Sequence, residues 1–218
     1  MRDMSGQRII RLALPFSSIT MTSDTCPAWN PATCEGAAGC PPRCPRFVDK
    51  RGTHLLVEPA SAADLEAIAA MYDDYPDQHR SMGLPPVLTE QIHEWLETLF
   101  EIGVNFIARD GDRVVGHAAY APADSDEPEF VVYVDPDYHS RGIGTELTRH
   151  AIAYAAEAGH DALTLDVDAA NEPAVHVYHK MGFETVRRNG GDLEMRLSFE
   201  EPIAERVRLP PAQRGAHA

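Results

Sequence analysis

Residues 134–145 read Val-Asp-Pro-Asp-Tyr-His-Ser-Arg-Gly-Ile-Gly-Thr. The run Glu129–Val134 (EFVVYV) before them is rich in β-branched and aromatic residues. After them, Ile143, Leu147, Ala151, Tyr154, Ala155 and Ala158 repeat at helical spacing until Gly159, a helix-ending residue. The stretch is therefore a strand end, a proline turn and a glycine-rich loop entering a helix. Glycine lets the backbone approach a ligand closely, and the unpaired N–H groups of loop and helix start converge with the helix dipole on one anion, such as a diphosphate. The dinucleotide-binding loop would need a third glycine where Leu147 stands, and the Gly-Lys-Ser/Thr of the other common phosphate loop is absent. An ordinary strand-to-helix turn would also use glycine for its geometry.

Outward from this centre the pattern is regular. Thr53–Glu58 reads as a strand, and Ser61 opens a helix carrying Leu65, Ile68, Ala69 and Tyr72 on one face. A loop over 73–88 contains Pro76, Gly83, Pro85 and Pro86. Thr89 then caps a helix with Ile92, Leu96, Leu99 and Phe100. Asn105–Arg109 and Arg113–Tyr120 are strands joined across Asp110-Gly111. Beyond the central helix come a strand at Leu163–Val167 and a short helix at Glu172–Met181. Two strands near 183–188 and 193–199 follow, with Asn189-Gly190-Gly191 as their turn. The order β-α-α-β-β-β-α-β-α-β-β describes one α/β domain over residues 53–199. Residues 1–25 read as a disordered tail, 26–52 as a cysteine-rich loop segment, and 200–218 as a flexible tail.

A second string, Asn171–Phe183 (NEPAVHVYHKMGF), lies between a strand and the next Gly-Phe turn. Together with the Arg-Gly-Ile-Gly loop upstream, it resembles the GNAT superfamily of acyl-CoA N-acyltransferases over roughly residues 53–198. The resemblance implies a central mixed, mostly antiparallel sheet with helices on both faces. It also implies that the family's fourth and fifth strands, here Glu129–Val134 and Leu163–Val167, splay apart so that pantetheine lies between them. Acetyl-CoA is then the co-substrate. The amides of Ser140, Arg141, Gly142, Ile143, Gly144 and Thr145 would hold its diphosphate, with His139 standing where the family usually has Gln or Arg. The amides of Val132, Tyr133 and Val134 would bond the acetyl carbonyl as an oxyanion site. Asn171 would contact coenzyme A while capping its helix.

The chemistry implied is direct attack of a primary amine, on a small molecule or a protein N-terminus or lysine, on the thioester. The amine must first lose a proton, and Asp166 is the first candidate base. Its spacing to Tyr178 matches the base-to-acid spacing of ribosomal-protein alanine acetyltransferases, which resemble this stretch (LEV there, LDV here). Glu129 is the second candidate. Tyr178 occupies the position that protonates the departing thiolate. His117 points either into the acceptor cleft or into solvent, and the loop Asp73-Asp74-Tyr75-Pro76-Asp77 would favour a cationic acceptor. The alternative function is a non-catalytic acyl-CoA-binding or metal-linked interaction module on the same fold.

Net charge is −15, and residues 53–198 carry 27 acidic against nine basic residues, with Lys50 and Lys180 the two lysines of the whole chain. Such a surface repels nucleic acid and anionic membranes. No apolar run is long enough to span a bilayer, and Arg11 interrupts the nearest thing to a signal sequence, so a cytoplasmic monomer or homodimer is expected. Cys26, Cys34, Cys40 and Cys44 fall in one proline-rich window. Four thiolates can close a structural zinc site, with Arg43, Arg46, Lys50 and Arg51 balancing its charge. The spacing lacks the C-x2-C pairs of zinc ribbons, so an iron–sulfur site, disulfides or free thiols are the competing readings.

Overall fold

In the computed structural model, described for residues 29–73, 75, 76, 80 and 84–214, the chain builds one eight-stranded sheet with helices on both faces. The strands are β1 (Arg46–Val48), β2 (His54–Pro59), β3 (Val104–Asp110), β4 (Arg113–Ala121), β5 (Glu129–Val134), β6 (Ala162–Asp168), β7 (Glu184–Asn189) and β8 (Asp192–Ser198). Their order is β1-β2-β3-β4-β5-β6-β8-β7, antiparallel throughout except for the parallel pair β5–β6. The helices are α1 (Leu65–Asp73), α2 (Thr89–Ile102), α3 (Ile143–Ala158), α4 (Glu172–Lys180) and α5 (Pro202–Arg206).

Alternation along the strands sorts side chains into two cores. In β3, Phe106 and Ala108 join a cluster with Ile143, Leu147, Ala151 and Ile152 of α3, together with residues of α4 and α5. Ile107, between them, turns to the opposite face and packs with Ile68, Tyr72, Ile92 and Leu96 of α1 and α2. The apolar stripes legible in the sequence lie on the buried faces of their helices, except that Ala158 at the end of α3 is exposed. Gly116 of β4 lets α3 come close: a Cβ there would stand 2.9 Å from Leu147 Cδ1 and 3.3 Å from Ile143 Cγ2.

Two elements lie outside the sequence reading. β1, within the segment read as loop, pairs with β2 through Arg46↔Leu56, Phe47↔Leu55 and Val48↔His54. Three residues are too few to show a period. α5, within the segment read as tail, begins at Pro202 and buries Ala204 in the α3-side core. One cluster joins both segments to α3. The buried Arg43 guanidinium donates to both carboxylate oxygens of Glu146 (2.7 and 2.8 Å) and to the carbonyl of Val207. The Ala212 amide also donates to the Cys34 carbonyl at 2.9 Å.

Three of the four cysteines expected to hold a metal lie among the described residues. Cys34, Cys40 and Cys44 are free thiols, and no group of three or more His, Cys, Asp or Glu side chains gathers to hold a metal among the described residues. Cys26 lies outside them. Burial raises the Cys44 pKa. Cys40 is exposed and its sulfur accepts from the Ala37 amide, while Arg43, expected as a counter-charge to the thiolates, is bound to Glu146. No described helix is long and apolar enough to cross a membrane.

Candidate active site at the splay of strands five and six

β5 ends at Val134, and Asp135 starts the loop by accepting from the Asp137 amide at 2.9 Å, capping a short 3-10 turn at Pro136–Tyr138. Ser140 (φ 60°) and Gly142 (φ 91°) both adopt left-handed backbone, and Gly142 is the N-cap of α3. Two such residues around Arg141 turn the chain sharply into the helix. At Ile143, Gly144 and Thr145 the helix geometry itself leaves the N–H groups without intrahelical partners.

Its side chains look elsewhere. Arg141 donates to the buried Asp49 and, at 2.8 Å, to Thr53 Oγ1, and its guanidinium lies 4.2 Å from the centre of the Tyr138 ring. His139 Nε2 lies 2.8 Å from the Val134 carbonyl. A carbonyl only accepts, so this nitrogen carries the proton. Asn171 caps α4 by accepting from the Ala174 amide at 3.3 Å.

Beside the loop the sheet opens. β5 and β6 register at the single pair Glu129↔Thr164, where the Thr164 amide donates to the Pro128 carbonyl at 3.1 Å. From there the strands part. The Asp135 amide bonds Val115 of β4, so by antiparallel alternation Tyr133 and Val131 also face β4 while Val132 and Val134 face the gap. Of the three amides expected at the acyl carbonyl, that of Tyr133 is thereby turned away. Its contribution is a side chain. The Tyr133 ring packs edge-on against Tyr72 (5.6 Å), Trp95 (5.9 Å) and Tyr75 (6.1 Å), and the Tyr75 hydroxyl accepts from the Val134 amide.

Three titratable candidates border the gap. Tyr178 of α4 is buried against Phe183, with ring centres 5.7 Å apart, and burial pushes its phenol up to about 12. The Tyr133 phenol is raised by its own burial and then by the neighbouring Tyr178, Tyr75 and Glu129, which places it among them. Glu129 has its carboxyl raised by partial desolvation and by the like charge of Asp166 on the adjacent strand. The two candidate bases are thus neighbours.

His117 points neither into a cleft nor into solvent. It is fully buried, its Nδ1 lies 2.7 Å from the Tyr72 hydroxyl, and its Nε2 lies 3.0 Å from Asn105 Oδ1. Asn105 Nδ2 donates to the Leu99 carbonyl, so Oδ1 is the acceptor, His117 carries its proton on Nε2, and Tyr72 donates to Nδ1. Desolvation lowers the His117 pKa to about 3, keeping it neutral. Tyr72, Trp95 and Asn105 were not read as neighbours of the site, and Tyr75 was read only as part of the acidic loop. Tyr72 was visible only as part of a helical stripe. Asp74 and Asp77 of the acidic loop lie outside the described residues.

Comparison with known proteins places this geometry. Residues 68–183 match the family model described as the acetyltransferase (GNAT) family. A mycothiol acetyltransferase of Rhodococcus jostii is 36% identical over 85 residues, covering 36% of this chain and 28% of that protein. The chain thus spans less than a third of that relative. Among solved structures, the GNAT domain of S. lividans PAT superposes with a TM-score of 0.62 at 22% identity, covering 70% of this chain and 95% of that one. A ribosomal-protein-alanine N-acetyltransferase from Brucella melitensis does so with a TM-score of 0.54 at 26% identity, covering 66% and 99%. With a left-handed loop at the start of α3 beside a splayed parallel strand pair, and a family match over more than half its length, the chain belongs to the acetyltransferase (GNAT) family.

Proposed function

We propose that the protein transfers an acetyl group from acetyl-CoA to a primary amine by direct attack on the thioester. The observation that carries this reading is the divergence of β5 from β6 immediately before the left-handed loop at Ser140–Gly142. An extended pantetheine chain fits between strands that have parted, and the loop amides receive its diphosphate.

Each step is assigned to a group of this chain. The Val132 and Val134 amides face the gap and stabilise the oxyanion formed as the amine nitrogen attacks the carbonyl carbon. The thioester oxygen displaces the Tyr75 hydroxyl from Val134 in doing so. Glu129, with Asp166 beside it, takes the proton that the amine must lose. As the carbon–sulfur bond breaks, Tyr178, held protonated by burial, donates to the sulfur and is reprotonated from water. The acceptor class, whether a small amine or a protein N-terminus or lysine, follows from the surface around α1 and α2.

Acetyl-CoA should raise the melting temperature, and free thiol should appear over a panel of amines. Binding without turnover on any amine would instead support a non-catalytic acyl-CoA-binding module. No binding at all would overturn both readings.

A further inference from the structure

We infer that Lys50, presented by the β1–β2 turn, is a further phosphate-binding residue for coenzyme A. The inference rests on the acetyl-CoA reading above and adds to it a residue outside the segment that matches the family model, which starts at residue 68.

The arginine of the loop is not available as a phosphate ligand. Arg141 is 8% exposed and committed to Asp49, Thr53 and the Tyr138 ring. The turn that engages it also carries a lysine. Asp49 Oδ1 accepts from the amides of Arg51 and Thr53, both at 2.8 Å, and its carbonyl accepts from Gly52 at 3.0 Å. The Lys50 amide then donates to the Arg141 carbonyl at 3.1 Å, fastening the turn to the anion loop. From there the Lys50 side chain crosses Gly142. Its Cε and Cγ lie 3.8 and 4.0 Å from the point where a Cβ on Gly142 would stand, with Phe47 Cζ at 3.7 Å. The stem rests on the left-handed residue that opens α3, and the residue is exposed, leaving the ammonium at the mouth of the loop.

Charge makes this placement consequential. Coenzyme A carries a diphosphate and a 3′-phosphate, and it must approach a domain with 27 acidic and nine basic residues over 53–198. Backbone amides supply only partial charges, whereas an ammonium supplies a full one next to them. Asp49 neutralises Arg141 and holds the turn, so that the lysine is the cation offered to the ligand.

The test is the affinity of the full chain for coenzyme A, measured by calorimetry for wild type, Lys50→Ala, Lys50→Glu and Lys50→Arg. Lys50→Ala should weaken binding about tenfold, Lys50→Glu more, and Lys50→Arg should retain most of it. With acetyl-CoA turnover, the loss should fall on KM rather than kcat. Repeating the series with 3′-dephospho-CoA locates the contact: a penalty that persists assigns Lys50 to the diphosphate, and one that disappears assigns it to the 3′-phosphate. Unliganded melting temperatures should match across the series, because the side chain is exposed and the turn is held through backbone and Asp49. Wild-type binding with an unchanged affinity in Lys50→Ala and Lys50→Glu overturns the Lys50 assignment alone. Failure of wild type to bind coenzyme A overturns it together with the acetyl-transfer reading.

Discussion

Tyr178, Glu129 and Asp166 owe their assigned roles to unlike surroundings. Burial keeps the Tyr178 proton in place across the physiological range, so Tyr178→Phe should lower kcat about 100-fold while leaving acetyl-CoA affinity nearly unchanged. Equal turnover would remove the role. Glu129 works as a base only when ionised, so kcat/KM should rise with pH through its elevated pKa. Asp166→Asn removes a like charge that raises that pKa, and the acidic limb should move to lower pH. A limb that stays in place would place the base elsewhere. At this scale much was legible. The glycine turn that opens α3 and the place of Tyr178 on a short helix are both written in neighbouring residues. The commitment of Arg141 to Asp49 was not, because the partners stand 92 positions apart and neither residue's type names the other.

Among elements, α3 depends on how closely β4 lets it approach. Gly116→Val would drive branched atoms into Leu147 and Ile143 and push the start of α3 away from the sheet. The expected cost is about 1–3 kcal/mol of stability with a raised KM for acetyl-CoA, measured by denaturant melts and steady-state kinetics. The central strands and helices could be read from the sequence because each carries a full period of buried residues. β1 and α5 could not, being three and five residues long and ordered by distant partners. The polarity of the β5 amides was equally hidden, since it depends on which neighbour claims Asp135.

For the whole molecule, the Arg43–Glu146 pair decides whether the flanking segments belong to the fold. Arg43→Ala leaves the buried Glu146 carboxylate without its bidentate partner, with Arg149 at 3.5 Å in its place, and should cost about 3 kcal/mol. Trimming to the family-matched residues removes the same partner. Acid should act through this cluster as well. The Arg43 charge holds Glu146 at about 2, below its ordinary 4.5, so its contribution is present above 4.5 and fades as pH falls toward 2. Burial holds His150 at about 4, below 6.5, so the unfolded chain takes up a proton first and stability declines between pH 6.5 and 4. His150→Gln should flatten that upper interval in a series of melts against pH, and an unchanged slope would assign it to other groups.

The parted strands are also a raw edge in the middle of a sheet, the kind of surface on which a stray peptide segment adds itself. Two side chains act as its blunting: Tyr75 covers the Val134 amide and His139 meets the Val134 carbonyl. These surrogates sit where another backbone would otherwise dock. Removing both, in Tyr75→Phe combined with His139→Ala, should make light scattering on warming depend on protein concentration, and saturating acetyl-CoA should suppress it.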